Sequence, residues 1–156
     1  VIGKTVGSGD LSRIREYSRT VQVLFAGLGV LFGGMFLLAR TPFIGLYDIS
    51  PEAVGNARQF MGVLSVTTIG TCYQYPCLFG LVKSGGDVKF VMLNDTIHVF
   101  LVVIPAAILA AVSGAAPVVV YACLKADQIL KCFPAFFKIR RYDWMKNLTR
   151  SEETAD

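Results

Sequence analysis

Three long stretches without a charged side chain constrain the fold of this chain more than any other feature. They cover residues 21–39, 59–82 and 99–124. Runs of about 18 or more mainly apolar residues are typical of helices that cross a lipid bilayer. The composition agrees, because 54% of the residues are hydrophobic and 17% are charged, whereas soluble domains have about 45–50% and about 25%. The sequence therefore predicts an all-α, polytopic membrane protein.

The first two stretches each predict one transmembrane helix. The first helix should begin after Asp10, a candidate N-cap, and end near Arg40. The second should begin at Ser50, which is followed by a proline and an acidic residue, a pattern typical of a helix start. It should end near Lys83 and kink at Pro76, because proline removes a backbone hydrogen bond.

The third stretch, residues 99–124, is too long for one helix that crosses the bilayer and too short for two. Serine, glycine and proline residues at 113–117 indicate a turn inside it. A helix on each side of the turn needs about 20 residues to cross. The first should therefore begin near Met92 and the second should end near Phe136. We predict four transmembrane helices in total.

The distribution of basic residues indicates which loops face the cytoplasm. The predicted inner side carries Lys4, Arg13, Arg15, Arg19, Lys83, Lys89, Lys138, Arg140, Arg141, Lys146 and Arg150. The predicted outer side carries only Arg40 and Arg58. Cytoplasmic loops are enriched in Lys and Arg, so we expect both ends and the middle loop to lie in the cytoplasm. The membrane is predicted to be the plasma membrane. Residues 1–150 form the four-helix part, and 151–156 form a polar tail.

Asp95 and His98 are drawn into the third predicted helix. They are three residues apart, so they share a face of that helix. A carboxylate beside an imidazole can bind and release a proton near neutral pH, and intramembrane acids often mark ion routes. We therefore consider both residues candidates for an ion or proton relay. The alternative is that Asp95 caps the helix near the headgroups and His98 bonds a backbone carbonyl.

The fourth predicted helix contains Lys125, Asp127 and Lys131. Asp127 should lie about 15 Å deep, near mid-bilayer, at about 1.5 Å per residue. It precedes Lys131 by four residues, the favourable order for an ion pair, and Lys125 is another possible partner. Asp127 is a further relay candidate. The alternatives are a structural ion pair, or lysines that extend to the membrane surface.

The second predicted helix has a polar middle, TTIGTCYQYP at 67–76. Tyrosine rings bind flat organic cations through cation–π attraction, so Tyr73, Gln74 and Tyr75 are candidates for the lining of a substrate cavity. The alternative is that these polar side chains hold neighbouring helices together.

The remaining motifs indicate no enzyme, cofactor or metal site. The four cysteines lie in apolar surroundings without metal-ligand spacing, at Cys72, Cys77, Cys123 and Cys132. GSGD at 7–10 lacks the preceding strand and the GK[ST] ending of a phosphate-binding loop. The basic segment KIRRYDWMKNLTR, with Trp144, suits an anionic lipid surface rather than nucleic acid.

Several motifs resemble those of the multidrug and toxic compound extrusion (MATE) family. VIGKTVGSGD resembles the G-x-x-x-G-x-G-(D/N) element before the ninth helix, IP at 104–105 the I-P-L within helix eleven, and DWMKNLTR the basic tail after helix twelve. LVKSGGDVKF resembles the R-G-x-G-D-T-(R/K) turn between helices ten and eleven, matched by Lys83, Gly85, Gly86, Asp87 and Lys89. The chain departs from this turn by having Lys83 for arginine and Val88 for threonine.

The resemblance implies that the chain is helices nine to twelve of a longer, two-lobe antiporter with twelve helices. Such a transporter exports organic cations or drug-like molecules in exchange for H⁺ or Na⁺, by alternating access. Its partners would be the bilayer, the other helices and the substrate cation. The cytoplasmic turn of Lys83, Gly85, Gly86 and Asp87 would be a structural hinge. Some members have a coupling acid in helix ten, but the corresponding position here falls near Cys72.

A second hypothesis of a different class is a stand-alone four-helix scaffold or assembly protein without transport activity. Its oligomers would form through the small residues of the first helix, which are Gly27, Gly29, Gly33 and Gly34. Small residues of this kind allow transmembrane helices to approach closely.

Overall fold

The computed structural model describes residues 11–145, and within this part the regular structure consists of four helices. The first, α1, is Leu11–Ile44. The second, α2, joins Pro51–Tyr75 to Pro76–Val82. The third, α3, joins Val88–Ile97, His98–Val103 and Ile104–Val112. The fourth, α4, joins Pro117–Lys125, Asp127–Leu130 and Cys132–Arg141. The all-α prediction is confirmed, and the bounds of the four helices match the predicted ones to within a few residues. The predictions for Asp10, Lys4, 7–10, Lys146, Arg150 and 151–156 lie outside the described residues.

The start of α2 has the local structure that its sequence predicts. The backbone amide of Ala53 donates a hydrogen bond to Ser50 Oγ at 3.3 Å, and Pro51 occupies the first helical position. Glu52 lies in the first turn, where a negative charge is favourable beside the helix dipole. These three features fix where the helix begins.

Two helices contain wide π-helical turns next to prolines. In α2 the wide turns begin at Pro76, the predicted kink, and the amide of Lys83 donates to the carbonyl of Leu78 at 2.9 Å. In α3 they occupy His98–Val103, just before Pro105. Proline lacks a backbone amide hydrogen, and its ring clashes with the preceding turn, so the backbone spreads there.

Two glycines bring α1 into close contact with α2. A Cβ added at Gly29 would lie 2.9 Å from the carbonyl oxygen of Ile69, and one added at Gly33 would lie 2.7 Å from that of Ser65. Ser65 Oγ also donates a hydrogen bond to the carbonyl of Gly33. The two backbones can approach this closely only because both positions lack a side chain.

The start of α1, the turn between α2 and α3, and the end of α4 meet at one end of the bundle. Their shared core contains Ile14, Cys77, Leu78, Leu81, Val82, Val91, Ala135, Ile139 and Trp144. Trp144 is fully buried in it. The three segments that are predicted to lie on the cytoplasmic side are therefore neighbours in the structure. We call this region the basic end, because most of the basic residues lie there.

Two helical segments, Ser12–Ile44 and Val88–Val112, are long and apolar enough to cross a membrane, judged by length and composition. Their most apolar windows are only 11% and 6% buried, respectively. Most of their apolar side chains therefore face outward, as expected for helices that contact lipid rather than a protein core.

Candidate functional site

A buried ammonium group joins two carboxylates from different helices. Lys131 Nζ of α4 donates to Asp95 Oδ1 of α3 at 2.5 Å and to Asp127 Oδ2 at 2.9 Å. The side chains of Lys131 and Asp127 are 4% and 9% exposed, whereas that of Asp95 is 49% exposed. The predicted i,i+4 pair of Asp127 and Lys131 is therefore present, and Asp95 is a third member that the sequence did not reveal.

The charged side chains lie where α4 is irregular. Its three segments are separated at Ala126 and Lys131. A Cβ added at Gly70 of α2 would overlap the carbonyl of Gln128, so the backbones of α2 and α4 are in contact here. This contact places Gln128 next to the polar middle of α2.

Gln128 extends the ion pairs into a hydrogen-bond network across three helices. Its Nε2 donates to both carboxylate oxygens of Asp127, at 3.0 and 3.1 Å. Its Oε1 accepts from Gln74 Nε2 at 2.9 Å and from Thr71 Oγ1 at 3.0 Å. We call Asp95, Lys131, Asp127, Gln128, Gln74 and Thr71 the polar network. Sequence reasoning missed Gln128, although it lies beside Asp127 in the polar segment KADQILK.

His98 bonds to its own helix rather than to Asp95. Its Nδ1 lies 2.8 Å from the carbonyl oxygen of Asn94, one turn earlier. A carbonyl can only accept, so this contact requires the proton on Nδ1. The structure therefore brings Asp95 to Lys131, and His98 has the backbone contact of the alternative interpretation.

The three cavity candidates of α2 point to three different places. The hydroxyl of Tyr73 donates to Gln22 Oε1 at 3.0 Å, on the side of α1. Gln74 is buried in the polar network. Tyr75 is 52% exposed, and its ring stacks on that of Phe79 at 5.3 Å. The structure does not bring them together in one cavity, because consecutive residues of a helix differ by about 100° in direction.

The half-exposed carboxylate of Asp95 opens into a cavity of about 300 Å³. Its lining is Phe79, Lys83, Val88, Val91, Met92, Asp95 and Thr96. The Asp95 cavity therefore combines a carboxylate and the ammonium group of Lys83 with an aromatic ring and apolar side chains. Its size is at the lower limit of about 300–1,000 Å³ for small-molecule sites.

The glycines of the turn between α2 and α3 are required by its geometry. Gly86 has a φ of +102°, which favours glycine. A Cβ at Gly85 would overlap the ring of Trp144. Gly86 also forms an isolated antiparallel bridge with Met145. The turn is thus held directly against the segment that follows α4.

An ion-pair cluster holds the same turn to α4. Lys138 Nζ lies 2.9 Å from Asp87 Oδ2 and 3.1 Å from Asp143 Oδ1. It also lies 4.6 Å from the ring centroid of Phe90. Burial opposes its charge, but the hydrogen bonds to Asp87 and Asp143 prevail and raise the pKa of Lys138 above its ordinary value. Lys83, the first residue of the turn motif, instead lies over the ring of Phe79.

Residues 11–145 contain no group of three or more His, Cys, Asp or Glu side chains that could hold a metal ion. The four cysteines are free thiols.

A comparison with known protein families identifies a family for this chain. The family model described as MatE matches residues 1–109, which is more than two thirds of the chain. The matched part includes Asp95, whereas Asp127 and Lys131 lie beyond it. Neither a curated protein nor a solved structure matches the chain.

Proposed function

Because this chain belongs to the MatE family, a family of membrane transporters, we propose that it is part of a secondary active antiporter. The antiporter exports organic cations or drug-like molecules in exchange for H⁺ or Na⁺ by alternating access. In this proposal the chain supplies helices nine to twelve of a two-lobe transporter in the plasma membrane, and the basic end faces the cytoplasm.

The observation that carries the proposal is the sharing of Lys131 between two carboxylates. With all three groups ionised, two negative charges surround one positive charge, so the cluster has a net charge of −1. Such a cluster is suited to take up one further cation. A proton or Na⁺ that binds Asp95 would neutralise it and weaken its hold on Lys131, whose ammonium would then remain with Asp127. Cation binding thereby alters the contact between α3 and α4, and this links the ion to a movement of helices.

The polar network also indicates how such a change would spread. Gln128 connects Asp127 to Gln74 and Thr71 of α2. When Lys131 shifts toward Asp127, the hydrogen bonds from Gln128 Nε2 to the Asp127 carboxylate become weaker. The α2 side chains respond in turn, so three helices sense the charge state of Asp95.

The substrate would bind in the Asp95 cavity. A flat organic cation would find a carboxylate for its charge and the flexible side chain of Met92 for its apolar edge, and it would take the place of the Lys83 ammonium over the ring of Phe79. Substrate and coupling ion would then compete for Asp95, which is the requirement for an antiporter that binds them in turn.

A transport assay tests the proposal. The natural protein that contains this chain is expressed in bacteria without their own drug-efflux pumps, and ethidium accumulation is followed by fluorescence. The expected result is lower accumulation, which rises again when the proton and sodium gradients are dissipated. Accumulation equal to that of cells with the empty vector, at verified membrane abundance, would overturn the proposal.

The scaffold hypothesis loses part of its basis in the structure. Of the four glycines that would form its oligomer contacts, Gly29 and Gly33 are used against α2 within the chain. Gly27 and Gly34 have nothing within 4 Å of an added Cβ. Only these two glycines remain for an oligomer contact, which is too few to favour the scaffold over the transporter.

A further inference from the structure

Two adjacent cavities form one groove along the outside of the bundle, between α1, α2 and α4. The cavity nearer the basic end is about 520 Å³, and the other is about 370 Å³. Ala26 and Tyr73 line both of them, so the two are continuous. This groove is separate from the polar network and from the Asp95 cavity, and the proposed transport does not use it.

The half of the groove at the basic end is positively charged. Arg19 of α1 and Arg140 of α4 line it together with Tyr142, and its lining includes no acidic residue. Neither arginine forms an ion pair with the acidic residues of the described part of the chain, 11–145. A third arginine, Arg15, lies with its guanidinium 5.3 Å from the ring centroid of Tyr142. This half is thus suited to a phosphate group, which planar guanidinium groups bind with paired hydrogen bonds.

The other half of the groove is almost entirely apolar. Its walls include Val30, Val66, Ile69 and Ile129. From Arg19 to Val30 the groove follows α1 for about 16 Å, at about 1.5 Å per residue. This length is close to half of the hydrocarbon core, which is about 30 Å thick. A phospholipid with its phosphate at Arg19 would therefore reach with its acyl chain into the apolar half.

A pair of hydrogen bonds shapes the groove where its two halves meet. Tyr73 donates to Gln22 Oε1 at 3.0 Å, and Gln22 Nε2 donates to the carbonyl of Ser18 at 3.2 Å. These bonds hold both side chains against the wall of the groove. The polar half thus ends at Gln22 and Tyr73, and the apolar half begins directly beyond them, farther from the basic end.

We propose that this groove binds one anionic phospholipid of the cytoplasmic leaflet. Its phosphate lies between Arg19 and Arg140, and one acyl chain runs past Ala26 toward Ile129. A free phosphate would use only the charged half. A zwitterionic lipid would bring a third positive charge to a site that already has two. The inner leaflet is the one that is rich in anionic lipid, in agreement with the predicted position of the basic end.

The test is a titration of bound lipid by native mass spectrometry. The natural protein is purified in a neutral detergent, and equal amounts of phosphatidylglycerol or phosphatidylcholine with the same acyl chains are added. The expected result is one retained phosphatidylglycerol at concentrations where phosphatidylcholine is not retained. Each basic residue near an anionic surface strengthens binding by about fivefold. The combined variant Arg19→Gln/Arg140→Gln should therefore need at least about tenfold more lipid.

The matched control removes two other positive charges from the basic end. Lys89→Gln/Arg141→Gln changes exposed residues outside the groove. Phosphatidylglycerol retention should therefore stay within about threefold of that of the unsubstituted protein. An equal loss in both double variants would show a general attraction to charge and would overturn the proposal. Equal retention of phosphatidylcholine would overturn it as well.

A second variant tests the apolar half without changing any charge. Ala26→Phe places a ring where the two halves meet, so phosphatidylglycerol should be lost while both arginines remain. This variant decides the matter if the arginine variant does not fold, which thermal unfolding checks. Unchanged lipid retention in Ala26→Phe would contradict the proposed path of the acyl chain. Displacement of the lipid by an equal concentration of sn-glycerol 3-phosphate would show an anion site alone and would also overturn the proposal.

Discussion

Lys131 donates a hydrogen bond to Asp95 across 36 positions of the sequence, whereas its other carboxylate partner, Asp127, lies one helical turn away. The same ammonium group therefore satisfies one local and one distant acid. The two acids differ in exposure, because Asp95 is half-exposed and Asp127 is nearly buried. In the proposed antiporter, an incoming ion would therefore reach Asp95 before Asp127.

Asp95→Asn should lower ethidium efflux strongly while the protein remains in the membrane. The amide keeps the size of the side chain but has no negative charge with which to bind a proton, a sodium ion or a cationic substrate. Efflux is measured by fluorescence, and abundance is measured by immunoblot of the membrane fraction. Asp48→Asn, in the loop between α1 and α2, is the matched control and should leave efflux unchanged. Full efflux by the Asp95 variant would contradict its proposed role.

Lys131→Met should destabilise the protein, because it leaves two carboxylates without their shared cation. Removing one partner of a buried ion pair costs about 3–5 kcal/mol. The loss is measured as a lower midpoint of thermal unfolding in detergent. Adding Asp127→Asn to Lys131→Met should restore part of the stability, since the nearly buried acid is then neutral. A double variant no more stable than Lys131→Met would show that Asp127 does not depend on this cation.

Gly33→Ala should weaken the contact between α1 and α2. The added methyl group would meet the carbonyl of Ser65, and overpacking of this kind costs about 1–3 kcal/mol. Gly34→Ala is the matched control, because nothing lies within 4 Å of its added Cβ. Alanine is favoured over glycine in helices by about 1 kcal/mol, so the control should be neutral or stabilising. The unfolding midpoint of Gly33→Ala should therefore lie below that of Gly34→Ala, and equal shifts would argue against the close contact.

Gly85→Ala should displace Trp144 from its buried position. The expected readouts are a red-shifted emission maximum of this tryptophan, the only one in the chain, and a lower unfolding midpoint. Gly80→Ala is the control, since its added Cβ would make only ordinary contact, at 3.9 Å from Pro76. An unshifted spectrum in the Gly85 variant would be inconsistent with the observed packing.

The ion pairs of Lys138 should contribute equally to stability at pH 6.5 and pH 9. Because the pKa of Lys138 is raised in the folded state, its contribution is complete below the unfolded value of about 10.4 and is lost only as the pH rises through the folded value. The difference in unfolding midpoint between the unsubstituted protein and Lys138→Met should therefore be the same at both pH values. A difference that shrinks markedly by pH 9 would contradict the raised pKa.

Much of the fold could be predicted because its determinants are local. Ser50 and Pro51 start α2, and the turn at 113–117 follows from its serine, glycine and proline residues. The ion pair of Asp127 with Lys131 follows from their spacing on one helix. In each case the sequence separation of the interacting groups is four residues or fewer.

The site could be predicted only in part, because its remaining contacts depend on how the helices are rotated against each other. No spacing rule connects Asp95 to Lys131, and none connects Gln128 to Gln74. Gly70 fixes how closely α2 and α4 approach, and this became visible only in the packing. Tyr73, Gln74 and Tyr75 point in three directions for a simpler reason, since consecutive helical residues differ by about 100°, and their role in a substrate cavity stays a prediction.

The packing of the Trp144 ring against Gly85 has a consequence for when this part of the fold can form during synthesis. Gly85 leaves the ribosome well before Trp144, and synthesis proceeds at about 5–20 residues per second. For several seconds the turn between α2 and α3 therefore lacks the side chain that packs against Gly85 in the folded protein. Insertion of α1, α2 and α3 therefore cannot complete this end of the bundle, whose packing is finished only when the segment that carries Trp144 has been made.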